Sequence, residues 1–318
     1  MSLSRIEFHN NFGFEEAVGR IVVAAIAHPF DYVKVLIQLG YEPFQPYPTT
    51  TIFMRRRMAL PGVFSFLRLI RERDGFWGMF RGVSYKICFT LTNGFVHANI
   101  SDFLMQIENR NKAKPEKRKN SSGFEAENIQ KFVDTLVRET TCKFISISIS
   151  YPFQVLAIRC CAQFVGRETV YNSLHSAVYD IYSNEGVLGF YSGFVPRFLG
   201  ECLVLWTTHS FVFLIEGFVK SDSSLSTYIA TTTNFIVQSI MYPFHVVATV
   251  MSVNNASSLA ASRLEPQFLS WVDCWNHLSK MGQLKRGSSI FWRYPNEATL
   301  QPFYSKTEVP NIYNKKSI

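Results

Sequence analysis

Long apolar stretches alternate with polar connections along this chain. No Asp, Glu, Lys or Arg occurs between Ser223 and Ser262, and the segments 87–101 and 144–158 also lack these four residue types. With its flanking turns, each stretch supplies the roughly 20 apolar residues that a helix needs to cross a bilayer. The pattern therefore predicts a membrane protein built from helices.

The spacing of these stretches predicts five membrane spans and three shorter amphipathic helices. The amphipathic segments cover residues 63–72, 173–183 and 268–278, and the last of them places three aromatic residues on one face. That arrangement suits a helix lying at the boundary between lipid and water. The predicted spans are residues 14–39, 83–108, 128–164, 194–219 and 224–253.

A Pro-Phe pair recurs three times within the apolar stretches. The copies carry Pro29, Pro152 and Pro243, and the first two are followed by a pair of glycines seven residues apart. A proline inside a helix removes one backbone hydrogen bond and bends the axis, which neighbouring helices tolerate in a membrane. Three equivalent structural kinks predict a pseudo-threefold bundle, with two complete repeats and a truncated third.

The repeat predicts a single domain over residues 1–318. No apolar run of 20 residues fits after residue 288, so we expect five spans where a complete threefold bundle would have six. The two termini are then expected on opposite sides of the membrane. The expected parts are repeat 1 at 14–108, a basic linker at 109–125, repeat 2 at 126–219, truncated repeat 3 at 223–290 and a polar C-terminal tail at 291–318.

Composition narrows the classes of function. Apolar residues make up 47% of the chain and charged residues 18%, and the mean hydropathy of +0.04 fits apolar runs separated by polar loops. The six cysteines form no CxxC pair, so neither a disulfide framework nor a zinc site is expected. No nucleophile–base set, metal-ligand spacing or phosphate loop is present. We therefore expect no enzymatic activity, no cofactor and no metal or nucleic-acid ligand.

Several motifs connect the chain to a known family. The strings PFDYVK at 29–34 and DGFWGMFRG at 74–82 resemble the mitochondrial carrier family, and the resemblance covers residues 14–290. Further strings, GFVPRFLG at 193–200 and WVDCW at 271–275, are similar to the mitochondrial carrier homolog family, a divergent branch located in the mitochondrial outer membrane. The resemblance implies an all-α membrane protein with a carrier-like pseudo-threefold bundle, from which the sixth transmembrane helix is missing.

The chain departs from transporting carriers at their gate. In that family each repeat supplies an acid and a base, and ion pairs between the repeats close the gate. Only one acid and one base remain here, both in the first repeat, so a cyclic gate cannot form. Because transport needs two states that are closed on opposite sides, this loss disfavours transport. The acid positions are Asp31, Gln154 and His245, and the base positions are Lys34, Ala157 and Ala248.

The resemblance also implies a location and a function. Members of the carrier homolog family are multi-pass proteins of the outer membrane that insert α-helical, notably tail-anchored, proteins into it. They also act as receptors for a pro-apoptotic protein and in lipid handling. The resemblance therefore implies three kinds of partner: the lipid bilayer, hydrophobic α-helical clients and a pro-apoptotic protein. A degenerate small-molecule carrier and a docking receptor without activity of its own are the alternative hypotheses.

An insertase needs a polar path that is open sideways to lipid, because an isolated charge in hydrocarbon costs at least ~2.5–3.5 kcal/mol. Without a sixth helix, the inner face of the bundle would open to lipid between the fifth and first spans. The expected path residues are His28, Asp31, Lys34 and Gln38 in span 1, Lys86 and Asn93 in span 2, Arg159 in span 3, Arg197, Glu201 and His209 in span 4, and Asn234 and Gln238 in span 5, with His97, Lys143, Gln154 and His245 on the same inner face.

Structural roles compete with the path for several of these residues. An alternative for Asp31 and Lys34 is a structural ion pair that survives from a carrier ancestor. An alternative for Glu201 is that it only neutralises Arg197, four residues earlier. An alternative for Arg159 is that its long side chain reaches the lipid headgroups. The histidines also fit hydrogen bonds to backbone groups.

Overall fold

The computed structural model describes residues 13–50, 54, 56–112, 124–218 and 223–295. Most of the predicted linker and the tail after residue 295 lie outside the described residues. Within these ranges the protein is mostly helical. Its helices are α1 (Phe14–Gln38), α2 (Val63–Gly78), α3 (Val83–Lys112), α4 (Phe124–Ala162), α5 (Leu174–Glu185), α6 (Phe194–Phe218), α7 (Ser223–Ile240), α8 (Tyr242–Asn254) and α9 (Trp271–Lys280).

Helix α1 illustrates why its boundaries were predictable from the sequence. Glu15 and Glu16 stand in its first turn, where carboxylates interact favourably with the amide groups of a helix N-terminus. The helix ends at Gln38, and Gly40 follows with a φ of 83°, a left-handed conformation that favours glycine. Helices α1, α3, α4 and α6 confirm the predicted helical segments of the first four spans.

A short β-hairpin follows α1, and the sequence analysis did not predict it. Strands β1 (Tyr47–Thr50) and β2 (Arg56–Ala59) pair antiparallel, with Tyr47 opposite Ala59. Pro48 within β1 made a strand unexpected, because proline cannot donate a ladder hydrogen bond. An isolated two-stranded ladder tolerates it, since each strand has a free edge.

The predicted fifth span is not one helix. It is divided into α7 and α8, whose axes differ by 52° at Met241. Pro243 lies in the first turn of α8, where its missing N–H has no intrahelical partner to lose. Pro29 and Pro152, by contrast, lie inside the continuous helices α1 and α4. The third proline therefore breaks its helix, whereas the first two are accommodated within theirs.

By length and composition, fewer helices qualify as membrane spans than the sequence predicted. Three stretches qualify, Glu15–Gln38, Ile129–Ala162 and Val187–Ile215, and a fourth qualifies if the bent pair α7–α8 counts as one span. Helix α3, the predicted second span, is long enough but is not among them, since polar residues such as Asn93 and His97 interrupt its apolar run. The described residues thus hold three or four candidate spans.

The long helices form a ring. Helix α1 packs on α3, α3 on α4, α4 on α6, and α6 on α7 and α8, while α8 returns to contact α1 and α4. The short helices α2 and α9 pack against α1 and α8, and the 3-10 turns on either side of α5 pack against α4. We call the end of the ring where these short helices and turns pack the loop-side end. Most of the buried apolar residues lie there, in clusters around Leu36, Val155 and Val247.

The repeated glycines adopt the same backbone conformation in the first two repeats. Gly75 and Gly186 follow the acidic residue of each repeat with φ values of 76° and 70°. Gly82 and Gly193, seven residues later, have φ values of 84° and 81°. These left-handed turns favour glycine because they crowd a Cβ atom. The sequence spacing therefore corresponds to one turn geometry, used at the end of α2 and again after α5.

Candidate functional site

Charged side chains from five helices meet inside the ring. We define the inner polar cluster as Asp31 and Lys34 on α1, Lys86 on α3, Lys143 on α4, Arg197 and Glu201 on α6, and His245 on α8. Lys34 lies within electrostatic reach of Asp31, Lys86 and Arg197, and His245 within reach of Lys34, Lys143, Arg197 and Glu201. The cluster therefore joins the walls of the ring into one polar interior.

The first half of the cluster joins α1 to α3. Lys86 Nζ lies 3.2 Å from Asp31 Oδ2, and the two side chains are 35% and 41% exposed. Lys34 Nζ lies 5.2 Å from the centre of the Tyr242 ring, a cation–π contact between α1 and α8. Asp31 therefore pairs with Lys86 of a neighbouring helix, and the alternative of an Asp31–Lys34 ion pair is not what the structure has.

The second half of the cluster joins α4, α6 and α8. The Glu201 carboxylate forms ion pairs with Lys143 Nζ at 3.2 Å and with Arg197 Nη2 at 2.9 Å. Arg197 Nη1 also lies 2.6 Å from Nδ1 of His245. Glu201 thus does more than neutralise the arginine one turn before it, because it also binds a lysine of a different helix.

The inner polar cluster is cationic and accessible. It holds four cationic side chains against two carboxylates, an excess of two positive charges when His245 is neutral. In a low-dielectric surrounding such an excess is expensive unless water or an anionic group shares the space. The partial exposure of Asp31, Lys86 and Lys143 shows that the cluster borders open space and is not sealed by packing.

A second polar layer lies nearer the N-terminal end of α1. Glu139 of α4 lies 4.0 Å from His97 Nε2 and 3.6 Å from Arg138, and Arg138 also reaches Glu108 at 3.4 Å. His209 of α6 is within electrostatic reach of the same carboxylate. Sequence reasoning missed Glu139 and Arg138. The i, i+4 spacing of Glu139 and Lys143, which places both on one face of α4, was the available signal.

Three predicted path residues lie outside the polar interior. Arg159 is fully buried, and its guanidinium forms a bidentate pair with Glu185 of α5. It therefore neither lines the path nor reaches lipid headgroups. His28 is 2% exposed, with Nε2 2.9 Å from the carbonyl oxygen of Arg81. Gln38, the last residue of α1, is buried against α8. All three corrections follow from burial at the loop-side end.

Gln38 joins the first and last helices of the ring. Its Nε2 donates to the Tyr242 hydroxyl at 2.8 Å, and its Oε1 accepts from the Thr249 hydroxyl at 3.1 Å. The interaction between α1 and α8 closes the ring at the loop-side end. The path residue predicted here is therefore a structural link.

The remaining predicted residues take different positions. The Ser150 hydroxyl lies 3.5 Å from Asn93 Oδ1, between α3 and α4. On α7, Gln238 is exposed and its Nε2 lies 3.4 Å from Asn234 Oδ1. Gln154 has a buried Oε1 that makes no hydrogen bond within the described residues. The same ranges contain no group of three His, Cys, Asp or Glu side chains placed to hold a metal ion.

Comparison with known proteins places the chain in a family. Residues 130–214 match the mitochondrial carrier protein family. The chain is 34% identical over 278 residues to mitochondrial carrier homolog 2 of Homo sapiens and 35% identical to that of Mus musculus, covering 84% of this chain and 89% of each relative. It is 32% identical over 299 residues to mitochondrial carrier homolog 1 of Mus musculus, covering 85% of this chain and 74% of the relative.

These relatives, together with the candidate spans, make the chain a mitochondrial membrane protein with a carrier-like all-α fold. Identity of this extent over most of both chains is enough to assign the family. The chain belongs to the mitochondrial carrier homolog family, a divergent branch of the mitochondrial carrier family.

Proposed function

We propose that this protein inserts α-helical, tail-anchored and similar clients into the mitochondrial outer membrane through a polar groove that opens sideways to lipid. The proposal includes a multi-pass arrangement, a pseudo-threefold bundle and a missing sixth helix. Residues 288–318 contain no apolar run of 20 residues, which supports the last point. An opening between α7 and α1 follows, because a sixth helix would pack there.

The observation that carries the proposal is an exposed polar stripe on α7. Thr227, Thr231, Asn234 and Gln238 follow i, i+4, i+7 and i+11 spacing, so they share one face of the helix. Three of them are exposed, and Asn234 is half-buried. Polar side chains on a membrane-spanning helix are rare, and they usually face a cavity or a partner. This stripe offers hydrogen bonds to the polar end of a client as that end crosses the membrane.

Helix α1 supplies an apolar counterpart to this stripe. Val18, Val22 and Ile26 are spaced four residues apart and are all exposed, the last by 70%. Such a face suits contact with the apolar part of a client helix or with lipid chains. In this proposal the polar stripe of α7 and the apolar face of α1 form the two sides of the groove, which suits a segment that has a polar end and an apolar body.

The test is insertion by the purified protein in liposomes. Two tail-anchored clients that differ only in tail charge, one acidic and one basic, are supplied to wild type, Lys34→Glu and Glu201→Arg. The first substitution removes the positive excess of the inner polar cluster and the second increases it. Lys280→Glu, at an exposed position at the end of α9, makes the same charge change as Lys34→Glu outside the ring and serves as the matched control.

The expected result is a shift in preference that follows the charge of the cluster. The ratio of acidic-tail to basic-tail insertion falls in Lys34→Glu and rises in Glu201→Arg. Each change is at least about threefold, equivalent to roughly 0.7 kcal/mol. Lys280→Glu leaves the ratio unchanged. Liposomes that gain no insertion from the wild-type protein, or ratios that match in all four proteins, would refute the proposal.

The same cluster supports a second candidate, a degenerate solute carrier. An interior with two excess positive charges, lined by five helices, would also hold a small anion. Uptake of a radiolabelled keto acid or nucleotide into protein-containing liposomes tests it. Uptake that Lys34→Glu abolishes and Lys280→Glu preserves would favour the carrier over the insertase.

A further inference from the structure

The segment 284–295, which follows α9, crosses the loop-side end from the last repeat to the first. We name it the clasp. Its first anchor is Arg286, which donates from Nε to the carbonyl oxygen of Gln38 at 2.6 Å and pairs with Glu265. The Tyr242 hydroxyl donates to the carbonyl oxygen of Arg286 at 3.0 Å. This anchor therefore contacts the two residues that join α1 to α8.

The second part of the clasp binds the chain at the start of α2, within repeat 1, through its backbone. The Val63 amide donates to the carbonyl oxygen of Ile290 at 2.7 Å, and the Leu60 amide donates to that of Arg293 at 2.8 Å. Leu60 and Arg293 form an antiparallel bridge. Gly62 allows this approach, because a Cβ atom there would lie 2.6 Å from the carbonyl oxygen of Phe291.

The Arg293 side chain is buried in a pocket that satisfies its guanidinium group. It is 8% exposed, pairs with Glu42, donates from Nη1 to the carbonyl oxygen of Pro61 at 3.1 Å, and lies 5.4 Å from the centre of the Phe66 ring. Burial raises the pKa of Glu42, and the charge of Arg293 opposes that rise. Loss of the arginine would leave a buried carboxyl without its cation, a costly state.

We propose that the clasp holds the loop-side end of the ring shut between α8 and α1, and that its release widens the lateral opening. The clasp crosses the same gap that a sixth helix would cover, but only at one end. Gln38 and the Lys34–Tyr242 contact also join α1 to α8, and the two arginine anchors add to this closure. The effect on insertion rests on the proposed function, whereas the effect on the ring does not.

The structural test uses two readouts in a Cys88→Ser background. Hydrogen exchange reports on the Leu60 and Val63 amides, and maleimide labelling of Thr249→Cys reports on the buried α1–α8 contact. Arg293→Ala should raise both rates by at least about tenfold, while exchange in α5 stays unchanged. Arg293→Lys keeps the charge but loses the planar guanidinium, so it should give a smaller increase. Gly62→Ala disturbs the close approach of the clasp backbone to Gly62 while leaving the Arg293 side chain in place.

A disulfide provides the complementary test. Bridged antiparallel residues have Cα atoms about 4.5–5.5 Å apart, which suits a disulfide between Leu60→Cys and Arg293→Cys. In the oxidised form, exchange at Val63 should return to the wild-type rate although Arg293 is absent. Reduction should raise it again by at least about tenfold, and client insertion should be faster in the reduced form.

Some outcomes overturn the proposal. Unchanged Thr249→Cys labelling in a protein that has lost protection at Leu60 and Val63 means that the clasp does not hold α8 to α1. Equal insertion by the oxidised and reduced disulfide variant means that the clasp does not control the opening. A wild-type protein that inserts no client refutes the proposed function instead, and exchange and labelling still decide the structural claim.

Discussion

The Arg159–Glu185 pair offers the sharpest prediction of stability. Arg159 Nη2 donates to Glu185 Oε2 at 2.8 Å, Nε donates to the carbonyl oxygen of Ser252 at 2.9 Å, and Nη1 contacts the Tyr171 hydroxyl at 3.3 Å. The arginine side chain is 0% exposed and that of Glu185 is 8% exposed. One guanidinium therefore connects α4, α5 and α8 at the loop-side end.

Arg159→Met should be strongly destabilising. The change keeps the apolar stem but leaves the Glu185 carboxylate buried without its cation, which costs about 3–5 kcal/mol in comparable cases. The double variant Arg159→Met/Glu185→Leu removes both charges and should recover most of that loss, since an apolar pair of similar volume is often neutral. Arg20→Met is the matched control, because Arg20 and Glu16 form an i, i+4 pair with both side chains more than a third exposed. Its cost should stay below about 0.5 kcal/mol.

The measurement is unfolding in mixed dodecyl maltoside–SDS micelles, followed by circular dichroism. The free energy of unfolding should rank wild type and Arg20→Met together, the double variant close below them, and Arg159→Met lowest. If Arg159→Met costs no more than Arg20→Met, the buried network does not stabilise the loop-side end as the structure implies.

Three further substitutions test the packing that frames the groove. Gly193→Ala should cost at least about 1–2 kcal/mol in the same unfolding assay, because the backbone of Gly193 is left-handed and an added Cβ would meet the carbonyl oxygen of Ala248. Gly19→Ala, on the open face of α1, is the control and should be neutral or stabilising. Gln38→Leu should cost about 1–3 kcal/mol by removing the two side-chain hydrogen bonds that Gln38 makes to Tyr242 and Thr249, and an unchanged midpoint would contradict its role as a link. Pro243→Ala should reduce the 52° bend, measured by electron spin distances from α7 to α8.

The helix boundaries were predictable because local signals determine them. Apolar length, the repeated prolines and the paired glycines indicated the long helices α1, α3, α4 and α6 and the short helices between them. The break at Met241 was not predictable, because Pro29, Pro152 and Pro243 look alike in sequence. Whether a proline bends a helix or ends it depends on the neighbours that satisfy the freed backbone groups.

The candidate site was only partly predictable. Helical spacing placed Asp31, Lys34, Arg197 and Glu201 toward the interior, and all four belong to the inner polar cluster. Arg159 was misplaced because spacing gives the face of a residue but not its depth along the bundle. That depth decides whether a side chain meets the open interior or the buried layer at the loop-side end.

The anchors of the clasp were invisible in the sequence. Glu42 and Arg293 lie 251 positions apart, in segments without a repeated motif. Their pairing depends on how the last repeat returns to the first, which is a tertiary property. Arg293 was therefore assigned to a polar tail, although the structure buries it.

The most direct test of the central claim is site-specific photo-crosslinking during client insertion. A benzoylphenylalanine replaces Gln238 on the exposed polar stripe of α7 or Phe103 on the exposed surface of α3. A laterally open polar groove predicts adducts between the client helix and position 238, and few from position 103. Equal yields from the two positions, or adducts from position 103 alone, would contradict a client path along α7.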